Sequence, residues 1–216
     1  MAGNDGTVDA AAVGPRPANP DAGLDQAARA VLDFWFLPPS DPAHGQPRPQ
    51  WFRKAPAFDA TIRARFGPLI DAMARGELAR WGDAPQARLA RILVADQFTR
   101  NCWRNDPRAF ALDPLALAET RALVADGSDL ALSPAKRAFA YLPFEHAEAL
   151  AEQDEGVRRF AALAAEHPAW AESFDWCVRH RDVIARFGRF PHRNAILGRE
   201  STAAERQFLT EPGSRF

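Results

Sequence analysis

Apolar residues recur along this chain at steps of three and four, and no stretch alternates apolar and polar positions the way a half-buried strand does. From Leu24 onward the pattern predicts helices. Residues 27–36 form a short one that ends before Pro38 and Pro39, and a Pro-rich loop follows over 38–49, with His44 in it, exposed and idle. Residues 56–76 form a longer helix whose one face is Phe58, Ile62, Phe66, Leu69 and Met73, with Gly76 as its stop. Asp83 is placed as the N-cap, and Pro85 in the first turn, of a helix over 85–98 buried along Leu89, Ile92 and Leu93. Asp96 and Arg100 fall on that same stripe, so they should pair with each other or with another charge, because burying either one alone costs several kcal/mol, roughly.

After a loop at 101–106, Leu112, Leu115 and Leu123 mark a helix over 109–126, stopped by Gly127. Ser133 caps the next helix, which opens at Pro134, turns Phe139 and Leu142 inward and is kinked or ended by Pro143. Helical spacing resumes over 144–166, with Leu150, Val157, Phe160, His146 and Gln153 on one side. Residues 168–187 are apolar almost all round apart from Asp175, Arg179, Asp182 and Arg186, which predicts a central helix with His180 and Arg181 buried. Thr202 and Glu205 form a capping box that opens a last helix through Leu209. The expected fold is all-α: one domain over 24–216, an antiparallel helical array or irregular bundle of about eight helices, behind a disordered or loosely attached Ala/Gly/Pro/Asp-rich tail over 1–23.

Composition narrows the function. The 216 residues are 47% hydrophobic and 25% charged, ordinary for a soluble globular domain. A net charge of −1 gives no global basic field for nucleic acid or an anionic membrane, so neither is expected as a partner and any anion binding must be local. No apolar run reaches the roughly 20 residues a bilayer requires, and the N-terminus lacks a secretory pattern. Two cysteines, Cys102 and Cys177, fit neither a disulfide framework nor a zinc pattern, and a cytoplasmic location is expected. The oligomeric state is not set by these features.

One run stands apart. Between Arg186 and Thr202 lie Arg186, Arg189, His192, Arg193, Asn194 and Arg199, punctuated by Gly188, Pro191 and Gly198 and anchored by Phe187, Phe190, Ile196 and Leu197. Such a run reads as a turning loop pinned to a core, because a solvated basic tail needs no large apolar anchors.

Three motifs occur together: Asp96-Gln-Phe-Thr-Arg-Asn101, Tyr141-Leu-Pro-Phe-Glu-His-Ala-Glu148, and Arg186-Phe-Gly-Arg-Phe-Pro-His-Arg-Asn194 continuing into Leu197-Gly-Arg-Glu-Ser-Thr202. With Val31-Leu-Asp-Phe-Trp-Phe36, their order and spacing resemble the uncharacterised bacterial family called domain of unknown function 924 (DUF924). Thr99 stands where that family usually has Pro, and Ala147 where it usually has Ser, so no serine hydroxyl acts at 147. The resemblance implies an all-α fold like the tetratricopeptide (TPR-like) α-α superhelix, and it implies no activity.

The motifs suggest an arginine-lined pocket for a small anionic ligand or an acidic peptide end, with Arg100, Arg189, His192, Arg193 and Asn194 as contacts. Asp96, Glu145, Glu148, His180 and Arg199 form the expected supporting shell. A second reading is an enzyme, most simply a hydrolase, with His192 or His146 as acid/base, Glu145 or Glu148 as orienter, and Arg189 or Arg193 stabilising negative charge. A third is a structural or interaction module in which the same arginines pair internally with Asp96, Glu145 and Glu148. No metal and no cofactor are expected, because Glu145, His146, Glu148, His180 and His192 match no ligand spacing.

Overall fold

The computed structural model describes residues 23–215; residues 1–22 of the expected tail lie outside them. Every regular element among the described residues is helical. We number the helices α1 (Gln26–Phe36), α2 (Pro56–Ala74), α3 (residues 85–102), α4 (Asp113–Ala125), α5 (Pro134–His146), α6 (Leu150–Glu166), α7 (Ala171–Phe187) and α8 (Ala203–Phe208). Short 3-10 turns lie in most of the connections.

The first helix shows how local chemistry sets a boundary. Asp25 accepts the Ala27 N–H at 2.7 Å and starts α1, which buries Ala28, Val31, Leu32, Trp35 and Phe36. At its far end the Arg48 guanidinium donates to the Phe34 and Trp35 carbonyls, each at 2.7 Å, and Trp51 Nε1 donates to the Trp35 carbonyl at 3.0 Å. Loop side chains thus satisfy acceptors that the end of a helix leaves open. His44 joins this closure by contacting the Leu37 carbonyl through Nδ1 at 2.5 Å, so it is half-buried and engaged rather than idle.

Helix α3 is the central one. It runs as α-helix over Pro85–Ile92, π-helix over Leu93–Phe98 and α-helix again over Thr99–Cys102, and every residue from Leu89 to Thr99 is buried. Both α1 and α2 pack on it, and from α3 onward each helix through α7 packs on the next. Trp35, Trp51, Phe58, Phe98 and Phe139 form a continuous aromatic cluster where α1, α2, α3 and α5 meet.

Several expectations shift. α7 is peripheral: only Cys177, His180, Val183 and Ile184 are buried, Trp176 lies partly exposed under the Arg179 guanidinium, and Arg181 is half-buried, paired with Asp154. Its apolar ring can face outward because a stacked cation covers it. Asp83 does not cap α3; Ala84 holds that position and Asp83 pairs with Arg88 at 2.9 Å. Pro143 lies near the C-terminal end of α5 and the helix continues to His146, with α6 starting only at Leu150. Leu115 and Leu150 are exposed, and residues 101 and 102 are the last turn of α3 rather than loop. The capping box at Thr202 and Glu205 forms as read.

Candidate functional site

The C-terminal half of α3, the start of α4, the end of α5 and the 188–201 loop converge on one buried polar cluster. Its centre is Asp96, in the π-helical stretch and 1% exposed. π-helical turns widen the backbone and recur at functional sites; here the Asp96 carbonyl accepts from Arg100 at 2.8 Å and from the Thr99 hydroxyl at 3.1 Å. The carboxylate takes His146 Nδ1 at 2.6 Å and Arg100 at 3.0 Å on Oδ1, and Gln97 Nε2 at 2.6 Å on Oδ2. Burial by itself would raise this carboxyl, but Arg100 and His146 outweigh it and hold Asp96 ionised well below the usual range.

Arg100 turns its fork to Asp113 at the first position of α4, at 2.8 and 3.0 Å. Asp113 Oδ2 in turn lies 3.5 Å from Arg193. The Arg193 guanidinium lies 4.7 Å from the Phe110 ring centre and 4.4 Å from that of Phe190, and Arg100 lies 5.5 Å from the same Phe110 ring. Arg193 Nε is buried with no hydrogen-bond partner. Burial, and then the neighbouring charge of Arg100, push Arg193 down to about 10. The cluster is not sealed: the Arg100 and Asp113 side chains are each 19% exposed and that of His146 is 15% exposed.

Two histidines and a glutamate lie behind it. His180 Nδ1 meets the Trp176 carbonyl at 2.8 Å and Glu145 Oε1 at 3.3 Å. Burial pushes His180 down to about 3 and His192 down to about 4, so both are neutral near pH 7. Glu145 is raised to about 8, first by burial and then by the charge of Asp96, and so holds its proton at neutral pH. The group that orients His146 is therefore Asp96, and Glu145 faces His180 instead.

The other arginines of the 188–201 loop are committed to holding it. Arg199 grips Glu148 at 2.6 and 2.9 Å, contacts Asn194 Oδ1 at 3.0 Å and reaches the Phe190 carbonyl at 3.2 Å. The Phe190 N–H donates back to Glu148 at 2.8 Å, and Asn194 Nδ2 donates to the Ser201 hydroxyl at 3.1 Å. Arg189 binds both oxygens of Glu205 at 2.7 and 2.9 Å. Arg189 and Asn194, expected as ligand contacts, are therefore engaged by internal partners. An open depression of about 520 Å³ lies beside Arg186, Phe187, Arg189 and Glu205. It is not lined by Asp96, Arg100, Asp113, His146 or Arg193, and its Arg189 is already neutralised.

Asp113, Phe110 and Gln97 are members of the cluster that the motifs did not single out. Asp113 begins a helix, where an acid is ordinary in any protein, so sequence offers no signal for its second role. Gln97 adjoins Asp96 inside the first motif and was within reach. Among the described residues, no group of three or more His, Cys, Asp or Glu side chains is arranged to hold a metal.

Chemically, the cluster offers two stacked guanidiniums with donor capacity left over, and an imidazole aimed by a buried carboxylate. The family model described as a bacterial protein of unknown function, DUF924, matches residues 31–213. The solved structure of a protein of unknown function from Agrobacterium tumefaciens is similar at 39% identity, covering 85% of this chain and 96% of that one, with a TM-score of 0.71. No functionally curated protein matches.

Proposed function

Because the chain belongs to the bacterial DUF924 family, whose function is unknown, we propose its role from the chemistry of the cluster: it binds a small oxyanion at Arg193 and Arg100. The observation that carries this reading is Arg193 itself. A buried guanidinium has five N–H donors to satisfy, and this one has a single 3.5 Å side-chain contact, with Nε unpartnered. Buried polar atoms are ordinarily hydrogen-bonded, and a carboxylate or phosphate edge matches the geometry of a guanidinium fork. Phe110 and Phe190 pack against the guanidinium, with ring centres 4.7 and 4.4 Å away, so little side-chain freedom is left to lose on binding. His146 shares Asp96 Oδ1 with Arg100 and is partly exposed beside it. Arg189 and Asn194 leave the contact set and join Glu148, Arg199 and Glu205 as supports of the loop.

The test is a thermal-shift panel of small carboxylates, phosphates and peptides ending in an acidic residue. A ligand raises the melting temperature of the native chain, and Arg193→Ala keeps the helical signal but loses that rise. A panel with no response in the native chain overturns the reading.

A second reading rests on the 2.6 Å contact between Asp96 and His146. A carboxylate-oriented imidazole suits a general base, and Arg193 suits a developing oxyanion, so a hydrolase is the simplest enzyme. Turnover of an ester panel that His146→Ala abolishes would favour it. The sequential packing of α3 through α7 supports a tetratricopeptide-like superhelix as the finer fold, and the two free, buried cysteines, Cys102 and Cys177, support a reducing, cytoplasmic setting.

A further inference from the structure

We infer that the oxyanion taken by this site also carries a hydroxyl group, which donates its proton to His146 Nε2. This deepens the binding proposal above and rests on it.

The argument is one of hydrogen-bond direction. Asp96 is enclosed, and its two oxygens already receive Arg100 and Gln97. An ionised carboxylate only accepts. The 2.6 Å contact from Oδ1 to His146 Nδ1 therefore needs the imidazole proton on Nδ1. A neutral imidazole has one N–H, so its Nε2 is a bare lone pair. Burial, followed by the charge of Arg100, pushes His146 toward that neutral form. The one side-chain hydrogen bond of His146 among the described residues is made by Nδ1, and the side chain is 15% exposed beside Arg100, which shares Asp96 Oδ1 with it.

The site is thus polarised. At one end the arginines donate; at the other His146 accepts. A plain carboxylate or sulfate is an acceptor at every atom, so it serves the arginines and meets His146 lone pair to lone pair. A hydroxy acid or a hydrogen phosphate serves both ends. Sites built to receive a hydroxyl reject analogues that lack it, because the polar group left behind is unpaired.

Titration calorimetry on the full chain at pH 7.5 tests this with two matched pairs: 2-hydroxypropanoate against propanoate, and hydrogen phosphate against sulfate. The hydroxylated member of at least one pair binds about tenfold tighter, the scale of one well-made hydrogen bond. Discrimination within the first pair assigns the anion to the carboxylates, and within the second to the phosphates. Equal affinity within both pairs overturns the inference and leaves oxyanion binding standing; no binding of any of the four overturns both. Long-range proton–nitrogen spectra of the unliganded chain place the His146 proton on Nδ1, and a proton on Nε2 overturns the inference whatever the calorimetry gives. His146→Ala levels the discriminating pair, and persistent discrimination in that folded variant counts against it.

Discussion

Arg199 spans both carboxylate oxygens of Glu148, at 2.6 Å to Oε2 and 2.9 Å to Oε1, across 51 residues of chain. Glu148 also receives the Phe190 N–H, so one side chain ties the segment after α5 to the loop that carries Arg193. Burial would raise this carboxyl, but Arg199 and the Phe190 amide hold it below its ordinary value. A depressed carboxylate contributes stability at neutral pH that is lost as pH falls through its folded value. Glu148→Gln should therefore cost about 1–3 kcal/mol at pH 7 and less in acid. Thermal melts of both proteins at pH 7 and pH 3.5 check this, and an equal gap at the two pH values would contradict it.

Asp113 is a counter-ion shared by Arg100, which also pairs with Asp96, and Arg193. Removing its charge leaves two stacked guanidiniums with less compensation. Asp113→Asn should lower stability by about 1–3 kcal/mol and raise affinity for any oxyanion the native chain binds, by roughly tenfold, because the ligand no longer competes with a fixed carboxylate. Denaturant titration and calorimetry measure the two effects separately. Unchanged or weaker anion binding would show that Asp113 is not a competitor.

Glu145 predicts the opposite pH behaviour to Glu148. Its folded pKa of about 8 lies above the ordinary 4.5, so the folded chain holds a proton that the unfolded chain has released. Stability from this group is full below about pH 4.5, falls as pH rises toward 8 and is flat above that. Glu145→Gln removes the slope, so its melting temperature should gain on the native protein between pH 5 and 8. His180 and His192, pushed down to about 3 and 4, act in the other direction below their ordinary 6.5 and are common to both proteins. A constant difference across pH would show that Glu145 does not hold its proton.

Gly156 lies inside α6 where α5 and α7 approach. A Cβ there would sit 3.1 Å from Phe144 Cβ and 3.3 Å from Cys177 Sγ, and both neighbours are buried. The Phe144 atom is fixed to a helix backbone and cannot retreat as a side-chain tip can. Gly156→Val should cost about 3 kcal/mol through overpacking, despite removing a helix-interior glycine. Gly156→Ala should cost less. Chemical denaturation gives both values, and a stabilised Val variant would show that the α5–α6–α7 contact is looser than this.

Much of the fold was legible because helix signals are local. The Thr202–Glu205 box, Pro at the first turns of α2, α3 and α5, and the buried stripe through Leu89, Ile92 and Leu93 depend on neighbours only a few residues away. The rank of the helices was less legible. α7 carries as many apolar residues as a central helix, yet α3 occupies the centre, because centrality depends on how many other helices find a face to pack on. Periodicity within one segment contains no information on that number.

For the site, the sequence by itself determined the inventory: an acid and a base four apart on a buried face, and a loop rich in arginine and anchored by phenylalanine. Charges placed on apolar stripes must be compensated, so some internal pairing was already dictated. Only the tertiary structure decided the partners. Arg189 and Arg199 went to Glu205 and Glu148, while Arg193 reached Asp113 and the face of Phe110, residues on a connection and a helix about 80 positions away. That division follows from where rigid helices bring their ends, which is set by the sum of all packing contacts rather than by any local run of residues.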